Sequence, residues 1–284
     1  MSGKLYLCAT PIGNLQDITE RCIEVLKTVD VIAAEDTRNS IKLLNHFDIH
    51  TPMTAYHEFN RFDKADDLVR QMLEGKNVAC ITDAGTPGIS DPGEVLVQKA
   101  YEAGIEVTSV PGACAAINAL VISGLSTRRF RFEAFLPAEK KERREVLSEI
   151  SDETATIIIY EAPHRLKKTL AELQEALGDR RISLCKELTK THETVFRTTL
   201  SEALIYYEAN EPKGEYVLVI EGKSRKALKE EAAKSFETMS LDEHMEMYLS
   251  QGIDRKEAMK LVAKDRGVSK REIYEGLLRT EENE

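Results

Sequence analysis

Asn77-Val-Ala-Cys-Ile81 runs straight into Thr82-Asp-Ala-Gly-Thr-Pro-Gly-Ile-Ser-Asp-Pro-Gly93, and the reading of this stretch decides the fold. The first five residues predict a strand whose body, Val78 to Ile81, is apolar throughout. The next twelve hold three glycines and two prolines, which bring bare backbone N–H and C=O groups to the carboxyl edge of a sheet. In open α/β folds that edge is where ligands bind. A plain strand-to-helix connection needs only about 2 to 6 residues, and this one is about twice as long, so it is read as a ligand loop rather than a structural turn.

Working outward, strands and helices alternate. Lys4 to Ala9, Val31 to Ala34, Val78 to Ile81 and Glu106 to Val110 read as strands. Between them lie a Thr19-capped amphipathic helix to Val29, a helix from about Ser40, a polar turn, a helix from Arg61 to Glu74, one after Gly93 and one from Cys114 to Ile122. This βαβ rhythm predicts an α/β fold with a doubly wound parallel sheet over residues 1–123. Ser123-Gly-Leu-Ser-Thr127 reads as a hinge. Beyond it, strands at Phe132 to Leu136, Thr154 to Tyr160, Ile182 to Lys186, Thr194 to Leu200 and Tyr216 to Glu221 alternate less regularly with helices at Lys140 to Ile150, His164 to Leu177 and Ser201 to Glu208. They predict a second α/β domain, 124–223, with an antiparallel or mixed sheet. Ser224 to Lys234 reads as a charged linker. Leu241 to Leu249, Arg255 to Lys264 and Lys270 to Leu278 then form a helical unit, 235–284. The Arg255–Tyr274 segment has the layout of a helix-turn-helix, although a plain three-helix packing unit would look the same.

The 284 residues are 42% hydrophobic and 31% charged, enough for about two ordinary cores. No apolar run approaches a membrane span and no signal peptide is visible, so a cytoplasmic protein without membrane contact is expected. Cys8, Cys22, Cys80, Cys114 and Cys185 form no CxxC pair and read as reduced packing residues. His46 and His50 share the i, i+4 spacing of a metal motif but straddle a helix exit at Asp48 to Pro52, so no metal is expected. A formal charge of −10 argues against indiscriminate nucleic-acid binding. Its distribution is uneven, however: Arg128, Arg129, Arg131, Lys140, Lys141, Arg143 and Arg144 form one basic cluster, and Arg255 to Arg271 holds a second.

Two further loops complete the first domain's edge, Ala9-Thr-Pro-Ile-Gly-Asn14 and Val110-Pro-Gly-Ala-Cys114. Three Pro/Gly loops side by side can wrap a nucleoside-sized ligand. Neither G-x-G-x-x-G nor a Walker sequence occurs, so nicotinamide chemistry and P-loop phosphate chemistry lack their fingerprints. Taken together, Leu5 to Thr19, Ala34-Glu-Asp-Thr-Arg38, Thr82 to Gly93, Val110-Pro-Gly-Ala113 and Tyr160-Glu-Ala-Pro-His-Arg165 resemble the ribosomal RNA small subunit methyltransferase I family of the tetrapyrrole methylase superfamily. The resemblance covers nearly the whole chain.

That resemblance implies S-adenosylmethionine as cofactor, held in a cleft between two α/β domains. It further implies 2'-O-methylation of a cytidine in the decoding region of 16S ribosomal RNA, free or in the 30S subunit, by a homodimer. The implied cofactor wall is Pro11, Ile12, Asp83, Ala84, Gly85, Thr86, Ile89, Ser90, Gly112, Ala113 and Cys114, with Tyr160, Leu188 and Tyr216 from the second domain. Thr10-Pro-Ile-Gly13 replaces the glycine-rich first loop of many superfamily members, a departure shared by this family.

For the chemistry itself, a base on a weakly acidic sugar hydroxyl would add about 10² to 10⁴-fold. Asp36, Lys186 and Glu187 are the candidates, against the structural alternative that Glu35 and Arg38 simply pair at a helix start. Arg38, Arg165 and Lys190, with Arg128, Arg129 and Arg131 of the first cluster, are expected to hold RNA phosphate. Two other readings stay open from residues alone: a tetrapyrrole or protein methylase with the same cofactor site, and a ligand-binding helix-turn-helix regulator without turnover.

Overall fold

A strand with no polar face needs cover on both sides, and the Val78–Ile81 run receives it. The computed structural model describes residues 2–236 and 239–281. In it β1 (Lys4–Cys8), β2 (Val31–Ala34), β3 (Met53–Ala55), β4 (Val78–Ile81) and β5 (Glu106–Val110) form an all-parallel sheet in the order β3-β2-β4-β1-β5. Val78 and Cys80 pack into the layer with α3 (Arg61–Leu73) and α4 (Gly93–Glu102), whereas Ala79 and Ile81 pack into the layer with α1 (Glu20–Thr28) and α2 (Thr37–His46). All four are at most 2% exposed, as a central parallel strand requires. Because β4, β1 and β5 are neighbours, the three Pro/Gly loops leave the sheet side by side.

Local chemistry sets the helix starts. The Thr19 side chain accepts from Cys22 N, and Asp36 caps α2 by accepting from Arg38 N, so α2 begins at Thr37 rather than near Ser40. The region read as a polar turn contains β3, three half-buried residues pairing with β2 from Ile32↔Met53 to Ala34↔Ala55. So short a run carries no periodicity; it becomes a strand only because β2 offers a free edge.

The second sheet holds β6 (Phe130–Phe135), β7 (Thr156–Glu161), β8 (Arg181–Lys186), β9 (Thr194–Thr199) and β10 (Tyr216–Ile220), in the order β6-β7-β10-β8-β9. β6 and β7 are parallel and the remaining pairs antiparallel, so the sheet is mixed. One face carries α6 (Lys140–Ile150), α7 (Pro163–Leu177) and α8 (Leu200–Ala209). The other is covered by α5 (Ala115–Ser123), whose Ala116, Ala119 and Leu120 meet Ile158, Cys185, Val217 and Val219. α5 follows the last strand of the first sheet and lies on the second, which locks the two layers together.

Ser224 to Lys234, expected as a linker, lies in a helix, α9 (Arg225–Ser235), entered through Lys223, whose Nζ is 2.7 Å from Asp152 and also pairs with Glu231. Charge-rich sequence without an apolar stripe reads as linker, and only these ion pairs reveal the docking. α10 (Leu241–Leu249), α11 (Arg255–Asp265) and α12 (Lys270–Glu281) then close on a small core of Met245, Ala258, Val262, Ile273 and Leu277. Residues 237–238 and 282–284 of the expected 235–284 unit lie outside the described residues.

His244 sits at the heart of this unit with no exposed surface. Its ring is stacked on Phe236 at 4.1 Å, and its Nδ1 accepts from Arg266 Nε at 3.1 Å. Burial, then the facing Arg266, lowers its pKa below the ordinary 6.5, although Asp265 lies 3.4 Å from Nε2. The unfolded chain therefore takes up the proton first as pH falls through 6.5, and the bundle loses stability below that pH. Amide exchange in α10–α12, corrected for intrinsic rates, should accelerate there relative to the sheets; unchanged protection would show that His244 charges without cost.

Candidate functional site

Three loops become one surface through backbone pairing. Thr10 N–H donates to Gly85 O at 2.9 Å and Gly85 N–H returns to Thr10 O at 3.1 Å, so the first and second loops form a miniature bridge. Thr10 Oγ1 donates to Thr82 O at 3.1 Å, and Thr86 Oγ1 donates to Ala113 O of the third loop at 2.9 Å. The long loop is held from inside by Asp91, whose carboxylate accepts from Gly88 N (2.8 Å), Ile89 N (3.2 Å) and Gly93 N (2.7 Å). Ser90 takes φ +65° within this turn.

Opposite stands the end of the second sheet. Between the two lies a cavity of about 440 Å³, within the ordinary range for small-molecule sites. Ile12 reaches it from the first loop, Ala84, Gly85, Thr86 and Ile89 from the second, and Cys114 from the third; Tyr160, Leu188 and Tyr216 form part of the far wall. Pro11, Asp83, Ser90, Gly112 and Ala113 do not line it. Asp83 turns toward α2, accepting from Asp36 N and Asn39 Nδ2, both at 3.2 Å. Gly112 is pressed on Ala9, where a Cβ would lie 2.8 Å from the Ala9 Cβ, and Ala113 serves through the carbonyl that anchors Thr86.

Sequence reasoning missed Ala115, Phe135, Glu161, Ala162, Pro163, Cys185, Glu215 and Val217, which complete the lining together with Lys190. The motif Tyr160-Glu-Ala-Pro-His-Arg165 pointed to some of them, but only the strand register shows which side chains face the cleft. Tyr160 is the hub: its hydroxyl accepts from Ala116 N at the start of α5 (3.1 Å), and Phe132 and Phe135 meet its ring edge-on at 5.0 and 5.6 Å. Burial pushes that hydroxyl up to about 12.

The proposed bases fare differently. Arg38 Nε and Nη2 bind both oxygens of Asp36 at 3.0 and 2.7 Å, holding its carboxyl down at about 2; the partner of Arg38 is thus Asp36, not Glu35. Glu35 instead accepts from the Thr82 hydroxyl at 2.5 Å, tying β2 to the long loop. Asp36 does not line the cavity. Lys186 does not line the cavity: its neighbour Cys185 does, while Lys186 lines a separate depression with Tyr206 and Tyr207 on the α8 side. Glu187, at φ +53°, accepts from Glu215 N and from Lys190 Nζ, both at 2.9 Å, and these contacts hold it below the usual carboxylate range.

Most of the expected phosphate ligands are similarly engaged. Lys190 lies between Glu187 (2.9 Å) and Glu215 (2.7 Å), and Arg131 pairs with Glu133 and with Glu149 at 3.1 Å. Arg165 donates to Leu136 O at 2.6 Å and faces Glu161 at 3.4 Å. Arg38 is 88% exposed despite its pairing. Arg128 and Arg129 are exposed but lie at the other end of the second sheet. All five cysteines are free thiols, His50 binds Asp48 at 2.8 Å, and among the described residues no group of three or more His, Cys, Asp or Glu converges as for a metal. No helix among them is long and apolar enough to cross a membrane.

Comparison with known proteins agrees with this architecture. The profile of the family described as Tetrapyrrole (Corrin/Porphyrin) Methylases matches residues 4–204. The fold resembles diphthine synthase (TM-score 0.61, 14% identity, 78% of this chain and 91% of that one). It also resembles uroporphyrin-III-C-methyltransferase from Thermus thermophilus (TM-score 0.55, 21% identity, 77% and 94%). Among relatives, the "Ribosomal RNA small subunit methyltransferase I" of Halalkalibacterium halodurans is 50% identical over 96% of this chain and 93% of its own. Those of Synechocystis and Bacillus subtilis are 46% identical (96% and 96%) and 45% identical (96% and 93%). On the family profile and these nearly full-length identities, the chain belongs to the tetrapyrrole methylases and, among them, to the ribosomal RNA small subunit methyltransferase I family.

Proposed function

We propose that the cleft methylates the 2'-oxygen of a cytidine ribose in the decoding region of 16S ribosomal RNA. The broader statement follows from family membership: the chain is an S-adenosylmethionine-dependent methyltransferase acting on small-subunit ribosomal RNA. The observation that carries the reading is the cavity itself, of donor size and built at the carboxyl edge of the first sheet by loops that offer backbone rather than charge.

The residues present fit the donor. Ile12, Ile89, Leu188 and Val217 give apolar walls for a purine, Gly85 leaves room for close approach, and Lys190 with Glu215 supplies a polar end for an amino-acid group. Bound there, S-adenosylmethionine supplies a methyl group activated by a cationic sulfur. The chain's own contribution is alignment: a bridge at Thr10 and Gly85, a wall fixed by Tyr160, and a cleft between two domains. Holding reactants in line can supply several kcal/mol of the barrier. Asp36, held near 2, is already ionised throughout the neutral range and too weak a base to take the hydroxyl proton.

A homodimer in the cytoplasm belongs to this reading. Ile117 and Val121, 44% and 62% exposed at i, i+4 on the outer side of α5, are apolar surface available to a second copy. Incubation with methyl-labelled donor and small ribosomal subunits, naked 16S RNA or a tetrapyrrole tests the function. Label is expected in RNA, in a nucleotide whose 2'-position resists alkaline cleavage; label in the tetrapyrrole alone, or on a base, would refute it.

A further inference from the structure

A second, larger concavity of about 620 Å³ lies at the other end of the second sheet. β7 starts there at Thr156 and reaches the donor cavity at Tyr160 and Glu161; β8 starts there at Arg181 and reaches the cavity at Cys185; β10 runs the opposite way, from Tyr216 at the cavity to Ile220, with Glu221 just beyond it at the groove. Five residues of strand separate the two sites, about 16 Å. Loop 124–129 and the start of α9 form its lips.

Its charge is opposite to that of the molecule. In a chain of formal charge −10, the described lining carries six cations, Arg128, Arg129, Arg180, Arg181, Lys223 and Arg225, against three carboxylates. Those carboxylates are already engaged: Glu221 with Arg181, Glu231 with Lys223, and Asp179 with Ser201 N at 2.9 Å. Arg180, 9% exposed, is met by carbonyls alone, including Leu177 O at 3.0 Å. Arg128, Arg129 and Arg225 are exposed, and their side chains have no carboxylate or hydrogen-bond partner among the described residues. The loop that presents the first two is fixed, since the Thr156 hydroxyl donates to Ser126 O at 2.6 Å and Thr156 N–H donates to Arg129 O at 3.1 Å. Phe130, next in sequence and 43% exposed at the start of edge strand β6, lies outside the lining itself but adjoins it along the chain.

We infer that this groove, with Arg128, Arg129 and Arg225 as its free cations and Phe130 as a stacking surface, holds the phosphodiester backbone of the RNA substrate at a point remote from the methylated nucleotide. Unpaired guanidiniums on a fixed loop beside an exposed ring are the ingredients of single-strand binding. The assignment rests on the ribosomal RNA reading and deepens it: the enzyme grips its substrate at two places, and specificity for a large RNA comes from their separation. Arg131 is not part of the grip, being neutralised by Glu133 and Glu149.

The test uses the full chain with Arg128→Gln, Arg129→Gln and Arg225→Gln combined, and Arg70→Gln on α3 as a matched loss of one exposed arginine. Binding of a labelled single-stranded RNA oligonucleotide is followed by anisotropy against salt. With about 0.7 per phosphate contact, the triple variant should flatten the slope of log K against log salt by about 2, which is on the order of a hundredfold loss of affinity near 0.1 M salt. Arg70→Gln should behave as the wild type. Donor affinity by calorimetry and melting temperature should be unchanged in both, and the KM for small subunits should rise in the triple variant with little change in kcat. An unchanged RNA slope in the triple variant, or a wild-type chain that binds no RNA oligonucleotide, overturns the groove. Oligonucleotide binding needs no methyl transfer, so a wild type that methylates no ribosomal RNA would refute the function separately.

Discussion

Gly85→Val should abolish donor binding while the chain stays folded. Gly85 adopts φ +89°, and a Cβ built on it lies 3.2 Å from Ile12 Cγ2 and 3.4 Å from Ala113 O, inside the cavity mouth. The backbone cannot swing aside, because its N–H and C=O are both bonded to Thr10. A β-branched residue held at positive φ costs about 1 to 3 kcal/mol, a fall in Tm of several degrees in a chain of this size. The loss of donor affinity should be far larger, a hundredfold or more, since the side chain fills the approach of the ligand. Gly104→Val separates the two effects. Gly104 has φ +70° with nothing within 4 Å of a built Cβ, so this variant carries the strain without touching the cavity and should bind donor normally. Calorimetry on both variants decides; a Gly85→Val chain that binds donor like the wild type would remove the cleft from the function.

The second large effect is expected at Glu161. Its side chain is fully buried at the end of β7, with one oxygen accepting from Ala162 N at 2.9 Å and facing Arg165 Nε at 3.4 Å, and the other accepting from the Thr169 hydroxyl. Thr169 in turn accepts from the buried Arg143 at 2.7 Å, and Arg143 donates to Glu172 at 2.5 Å. Arg165 continues to Leu136 O. This network ties α6, α7 and the end of β6 to the strand that carries Tyr160. Removing one partner of a buried ion pair leaves the others uncompensated, which costs about 3 kcal/mol or more. Glu161→Ala should therefore lower Tm by roughly 6 to 12 °C and weaken donor binding through the displaced wall. Glu161→Gln keeps an acceptor for Ala162 N and should lose less. A Glu161→Ala chain that melts within about 2 °C of the wild type would show that the network is dispensable.

Arg165 illustrates how far residue type alone can be read. A cation at a helix start invites a phosphate, yet its partners, Glu161 at the end of β7 and a carbonyl 29 residues away, are already in the protein. Lys190 and Arg131 repeat the pattern. Lys186 falls outside the cavity lining for another reason: adjacent strand residues face opposite sides, and which side meets the cleft depends on where α5 packs, a contact between distant parts of the chain. β3 and α9 escaped because neither carries a hydrophobic period of its own; a free sheet edge creates the first, and ion pairs at Lys223 anchor the second.

What the sequence determined by itself were the elements and the loops. Apolar runs, the helix cap at Thr19 and Pro/Gly clusters after three strands act within a few residues, so they are legible without coordinates, and with them the parallel sheet, a second sheet antiparallel or mixed, and the edge at which the cavity opens. Tertiary structure alone decided which side chains line the cavity, which charges are spent on each other and which remain free. Those are matters of register and of pairing between residues tens of positions apart, and no local physical rule fixes them: the basic cluster near Arg128 divides, on folding, into Arg131, which is engaged, and Arg128 and Arg129, whose side chains have no partner among the described residues.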